Sequence, residues 1–242
     1  PAEGATSPYS YSVGYTDIYD VQFVASGGDA SPMVGQSVNV RGIVTAAKGT
    51  FGSSDFYIHE GNGAFEGIQI YAGGLEAEIN EGDDVTVCGT VSEYYNQTEL
   101  SAHIPAAVVV HWTGNANYGY ADVTTAQVSP ANVDAEQFEG QLVRVSDVTV
   151  TALPDGYGQW YVMDSSMVAC QIDDYGYYTY TPVLNDALDE LRGICMYSFS
   201  EFKIQPRSDD DFVGPPQIAN LRYAPIPPAP ASTITISAEM TY

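Results

Sequence analysis

Side chains able to do chemistry are few and scattered in this sequence. Histidine occurs at His59, His103 and His111, and only His59 has an acidic neighbour, Glu60. A zinc site needs converging, often closely spaced ligands. Neither the histidines nor Cys88, Cys170 and Cys195 supply such a spacing. His59-Glu60, ahead of Gly61-Asn62-Gly63, therefore reads as a surface pair at a strand end. There is no GxSxG elbow for a nucleophilic serine, and no phosphate-cradling P-loop or GxGxxG turn follows a strand. No catalytic residue, cofactor or bound metal is assigned on this basis, and the chain reads as non-enzymatic.

Carboxylates and aromatics offer more. Asp209-Asp210-Asp211, Asp173-Asp174 and the group Glu81, Asp83, Asp84 supply hard oxygen ligands of the kind Ca²⁺ takes. No EF-hand loop accompanies them, so they read first as solvated acidic turns, with Ca²⁺ as the alternative. Tyr94-Tyr95, Tyr118, Tyr120, Tyr157, Trp160 and the run Tyr175, Tyr177, Tyr178, Tyr180 could build an aromatic platform for a sugar, a single strand or a protein. Trp160 and Tyr161 are adjacent within one strand pattern, so one of them faces the core. Asn96-Gln97-Thr98 is a glycosylation-type triplet with Asn96 as acceptor.

Charge narrows the choice of partner. There are 31 Asp and Glu against 7 Lys and Arg, a net charge of -24. Phosphate backbones and anionic lipid surfaces are repelled by such a chain. Proteins, neutral glycans and multivalent cations remain. No apolar stretch is long enough to span a bilayer as a helix. Scarce lysine with abundant Tyr, Gly, Ser and Thr points to an extracellular setting. The absence of a basic, then apolar leader suggests a mature form beginning at Pro1.

The elements that position these residues come from an internal repeat. MVGQSVNVRGIVTA (33–46) matches FEGQLVRVSDVTVTA (138–152), which has one extra residue. SDFYIHEGNG (54–63) matches GQWYVMDSSM (158–167), and EGIQIYA (66–72) matches VACQIDD (168–174). INEGDDVTVCGTVSEYYNQTEL (79–100) matches LNDALDELRGICMYSFSEFKI (184–204). Each block alternates with period two and is bounded by Gly and Asn, as strands and turns require. Gly42 marks a bend or bulge in the long first strand. Five short strands per repeat predict an all-β chain of two tandem five-stranded OB-like Greek-key barrels, with a β-sandwich as the alternative. LNDALDEL (184–191) offers a helical turn before the fourth strand of the second copy. Cys170 and Cys195 both point inward, either as a disulfide or as two buried thiols, and Cys88 reads as a core thiol.

These blocks, together with EFKIQPRSDDDF, resemble bacterial OB-fold modules of secreted proteins, often found beside extracellular nuclease or lamin-tail-like domains. The resemblance covers residues 17–114 and, more weakly, 122–214. It implies a barrel fold and an extracellular setting. Nuclease activity it implies only for a neighbouring domain.

The termini follow a different pattern. Residues 1–16 form a small, polar, Tyr-rich arm. Residues 215–231 are dense in proline and read as an extended linker. Residues 232–242 alternate cleanly and predict a lone C-terminal β-strand, resembling the first strand of an Ig-like module. A lone strand cannot satisfy its own backbone. It is expected either to begin a further domain or to be donated to a neighbouring copy, with Ile234, Ile236, Ala238 and Met240 as assembly anchors. Head-to-tail donation does not close on itself and gives a filament. The leading expectation is a structural protomer of an extracellular homopolymer. The alternative is a pair of accessory modules binding glycan or, against the charge, nucleic acid.

Overall fold

The computed structural model describes residues 14–25, 30–102, 107–116 and 118–214, and the backbone alone of 217–224 and 235–241. The first repeat supplies β1 (Ser37–Ala46), β2 (Phe56–His59), β3 (Gly67–Tyr71), β4 (Asp84–Tyr94), β5 (Gln97–Ala102) and β6 (Val108–Trp112). Neighbours run β1-β2-β3-β5-β4, and β4 returns to β1, closing a five-stranded barrel to which β6 adds along β4. The β3–β5 contact is parallel and the other pairings of this barrel are antiparallel.

The second repeat gives β7 (Ala121–Asp122), β8 (Leu142–Ala152), β9 (Trp160–Met163), β10 (Ala169–Ile172), β11 (Ala187–Ser198), β12 (Glu201–Gln205) and β13 (Phe212–Val213). β8-β9-β10-β12-β11 close in the same order, again with one parallel contact, β10–β12. Two tandem five-stranded barrels are thus present.

Period-two alternation fills each barrel. Val38, Val40, Val44, Val85, Val87 and Val91 point into the first core with Phe56, Ile68 and Leu100. Trp160, Val162, Cys170, Ile172, Leu191 and Ile204 do so in the second. Gly42 sits where β1 leaves β4 for β2, and a Cβ there would lie 2.6 Å from the His59 carbonyl oxygen. β8 makes the same bend with its extra residue, Asp147, at φ 52°.

Several expectations need correction. A short helix, α1 (Ile18–Gln22), precedes β1 and buries Ile18 and Val21. Glu60 accepts from the Ile18 and Tyr19 amides at 2.7 and 2.8 Å, so it closes the helix start and does not pair with His59. LNDALDEL forms no helical turn. Its buried Leu188 and Leu191 lie on β11, paired with Val148 and Val145 of β8. Cys88 is out of phase with Val85, Val87 and Val91 and only half-buried, so it is not a core thiol. Cys170 and Cys195 are buried free thiols, the second of the two readings.

The C-terminal strand is not lone. β14 (Gln217–Ala224) and β15 (Thr235–Thr241) pair antiparallel, with Ile218 opposite Met240 and Tyr223 opposite Ile236. Prolines cluster at 215–216 and 225–230 and leave the octapeptide QIANLRYA free of them. Proline at the borders of a strand is compatible with pairing, and proline inside it is not. A window averaged over 215–231 hides that eight-residue gap. Ile234 lies outside the described residues.

The barrels meet backbone to backbone. A Cβ on Gly67 would fall 2.5 Å from the Gln141 Cα, and one on Gly140 would fall 2.9 Å from the Ile68 Cα. Ala46, Tyr57, Leu142 and Ile194 form an apolar cluster across the seam. Gln22 bridges the carbonyls of Gly67 and Glu139 at 2.7 and 3.2 Å. Arg207 reaches from the second barrel to the Thr45 carbonyl at 2.6 Å while its other nitrogens grip Asp211.

Candidate functional site

In the second barrel three loops contribute to one cleft beside β9, β10 and β12. The β8–β9 loop is shaped by Asp155, whose Oδ1 accepts from the Tyr157 and Gln159 amides at 2.8 and 3.1 Å. This turn lifts Tyr157 into solvent at 82% exposure. Gly158, at φ 83°, lets the loop close on Asp174. The β10–β11 loop brings Asp173, Asp174 and Tyr175, the last 54% exposed. The β11–β12 hairpin turns on Phe199 and Ser200, at φ 53° and 67°, and leaves Phe199 82% exposed. Together with Gln159 and Glu201 these residues enclose a cleft of about 460 Å³.

The floor is polar and pre-positioned. Gln171 donates to Gln159 Oε1 at 2.9 Å and to the Tyr161 hydroxyl oxygen at 3.1 Å. Gln159 in turn reaches Asp173 Oδ2 at 3.4 Å. Lys203 is fully buried beneath, 3.3 Å from Asp173 Oδ2, with its Nζ 5.7 Å from the Phe199 ring centroid. That Nζ makes no hydrogen bond among the described residues, and neither does Gln171 Oε1. Rings at the rim and amide and carboxylate oxygens below can hold a ligand with an apolar face and hydroxyl edges. Nothing in this set pairs a nucleophile with a base.

Of the platform proposed from sequence, the structure brings Tyr157 and Tyr175 together here. It sends Trp160 and Tyr180 into ring contacts with Phe212 instead. Trp160 is the core member of its strand pair. Tyr118 and Tyr120 pack at the seam, and Tyr94-Tyr95 lie on the first barrel. Phe199, Gln159, Glu201 and Lys203 went unread in sequence. The aligned repeats carry a signal for Phe199, since YYNQ opposes SFSE and places an aromatic at the same hairpin tip.

The acidic groups have structural employment. Asp209 accepts from the Thr179 and Tyr180 amides, which hold its carboxyl below the usual range. Asp84 pairs with Arg41 and Asp83 with the Asn80 amide. No group of three metal-ligating side chains occurs among the described residues. Asn96 is exposed at its turn, whereas Thr98 is buried with its hydroxyl on Glu93 at 2.8 Å. His111 bonds Thr86 at 2.8 Å on the surface, and His103 lies outside the described residues.

His59 is buried against the second barrel, with Gln141 Nε2 3.4 Å from its Nδ1. Burial pushes its imidazole down to about 4. Glu139 is also buried, and burial raises its carboxyl well above the ordinary value. Its Oε1 accepts from the Thr98 amide at 2.7 Å, and its Oε2 has no partner among the described residues. These groups lock the seam and do not open to a substrate. A second cleft of about 320 Å³ over the seam presents one ring, Phe65, beside Asp134 and Glu136.

No protein-family model, curated protein or solved structure matches the chain.

Proposed function

We propose that this chain is a non-catalytic, extracellular binding module whose second barrel holds a neutral saccharide. One observation carries the reading: Tyr157, Tyr175 and Phe199 expose their rings around a polar floor of Gln159, Asp173 and Glu201. Exposed rings cost solvation that a monomer ordinarily avoids by burial, and here three converge. Barrels with this strand order bind oligosaccharides or oligonucleotides on this face, between the first and last loops. The net charge of -24 disfavours the oligonucleotide and leaves a sugar ring, whose C–H face stacks on aromatics and whose hydroxyls donate to carboxylates. The cleft volume falls in the range of small-ligand sites.

Affinity electrophoresis through gels containing neutral polysaccharides tests the reading. Retardation by one polysaccharide, reduced in Phe199→Asn, supports it. Unretarded migration in every gel, with retention of single-stranded DNA instead, would overturn it.

A second reading, a homopolymer joined through residues 215–242, draws support from β14 and β15. They form a two-stranded sheet that pairs with no third strand among the described residues. Such a hairpin is marginal alone and leaves two edges able to accept a strand. The unit exchanged would then be a hairpin edge. Electron microscopy of the chain beside a version ending at Gly214 decides it, since only the longer form should give filaments.

A further inference from the structure

Resting on the saccharide reading, we propose that the first barrel carries a second saccharide site at its β4–β5 hairpin, so that one chain is bivalent. The two hairpin tips are built alike. Tyr95 and Asn96 turn at φ 51° and 65°, and Phe199 and Ser200 at 53° and 67°. Such turns favour Asn or Gly in the left-handed region, where a bulky side chain is strained. Both barrels nevertheless place an aromatic at the first of the two positions.

The strain is not offset by packing. Tyr95 is 78% exposed and touches Tyr94, also exposed, edge to face at 4.7 Å between centroids. A strained, solvated ring stands at the same repeat position in both barrels, Tyr95 and Phe199, and neither has a role in a core. Backbone strain held at a surface is a pointer to binding.

The polar floor is repeated too. Gln69, aligned with Gln171, receives a hydrogen bond from Gln97 and donates to Asp55 Oδ2 at 3.2 Å. Asp55 occupies the place of Gln159, and Gln97 that of Glu201. Tyr71, half-exposed on β3, flanks the same face. An exposed ring at the hairpin tip and an amide-carboxylate ladder on the sheet recur with different residues. The buried cation does not: Glu99, bonded by the Ser92 hydroxyl, stands where Lys203 does. The two sites should therefore share a ligand class and differ in affinity.

Isothermal titration with cellohexaose, mannohexaose, xylohexaose and maltohexaose tests the proposal, using the intact chain and the variants Tyr95→Asn, Phe199→Asn and both together. Asparagine suits the left-handed turn, so each variant should melt no lower than the parent. The expected result is two sites per chain, one in either single variant and none in the double. Affinity for the polymeric form of the bound sugar should fall at least tenfold in either single variant, as avidity is lost. One site per chain, removed by Phe199→Asn and untouched by Tyr95→Asn, overturns the second site and leaves the first standing. Absence of binding to all four sugars overturns both.

Discussion

Gly67→Ala tests how tightly the two barrels are joined. An added Cβ would sit 2.5 Å from the Gln141 Cα and 2.6 Å from its amide nitrogen. Carbon atoms in contact rest at about 3.5–4.0 Å, so the barrels must separate by roughly 1 Å along the seam. Overpacking of this kind costs about 1–3 kcal/mol. The glycine-to-alanine change itself returns about 0.4–1 kcal/mol by restricting the unfolded chain. The net loss is then about 1–2 kcal/mol, or roughly 2–8 °C in Tm for a chain of this size. Gly214→Ala is the control, because no atom of the described residues lies within 4 Å of its Cβ position. Urea denaturation of both variants reads the difference. If Gly67→Ala matched Gly214→Ala within about 0.5 kcal/mol, the backbone contact between barrels would be wrong.

Other consequences follow from buried groups. His59 titrates near 4 when folded and near 6.5 when unfolded, so the unfolded state takes up a proton that the folded state refuses. Stability from this group is lost as pH falls from about 6.5 toward 4, by up to ~3 kcal/mol. Glu139 acts in the opposite sense, since its raised folded value favours the fold as pH falls toward the usual carboxylate range. Glu139→Gln should therefore steepen the acid loss, and adding His59→Asn should flatten it, by urea midpoints at pH 7, 6 and 5. Lys203→Met leaves Asp173 buried and unpaired and should cost about 3–5 kcal/mol, recovered in part by adding Asp173→Asn. Burial raises both Cys170 and Cys195, so these thiols should react with Ellman's reagent only on unfolding.

The two barrels are legible because period-two alternation and the repeat agree at each strand. Val85, Val87 and Val91 already state which face of β4 is inward. The same alternation puts Cys88 outward, yet its residue type suggests the core. His59 reads as a surface residue in sequence, and the structure buries it, because what covers it, Gln141, comes from the other barrel eighty-two positions away. The paired tail was obscured by composition, proline density masking the strand between the clusters. Tyr157 and Tyr175 stand out as aromatics in loops. Lys203 does not, since a strand lysine reads as solvent-facing and only closure over Asp173 buries it.

The most direct test of the saccharide site is the salt dependence of sugar binding by the intact chain. Titration with the four neutral hexasaccharides at 0.05 M and 0.5 M NaCl should show binding of at least one, with a Kd unchanged by salt. Tyr157→Ala should weaken it by tenfold or more without lowering Tm. No binding to any of them, or an affinity that collapses with salt, would contradict a neutral sugar in the cleft of Tyr157, Tyr175 and Phe199.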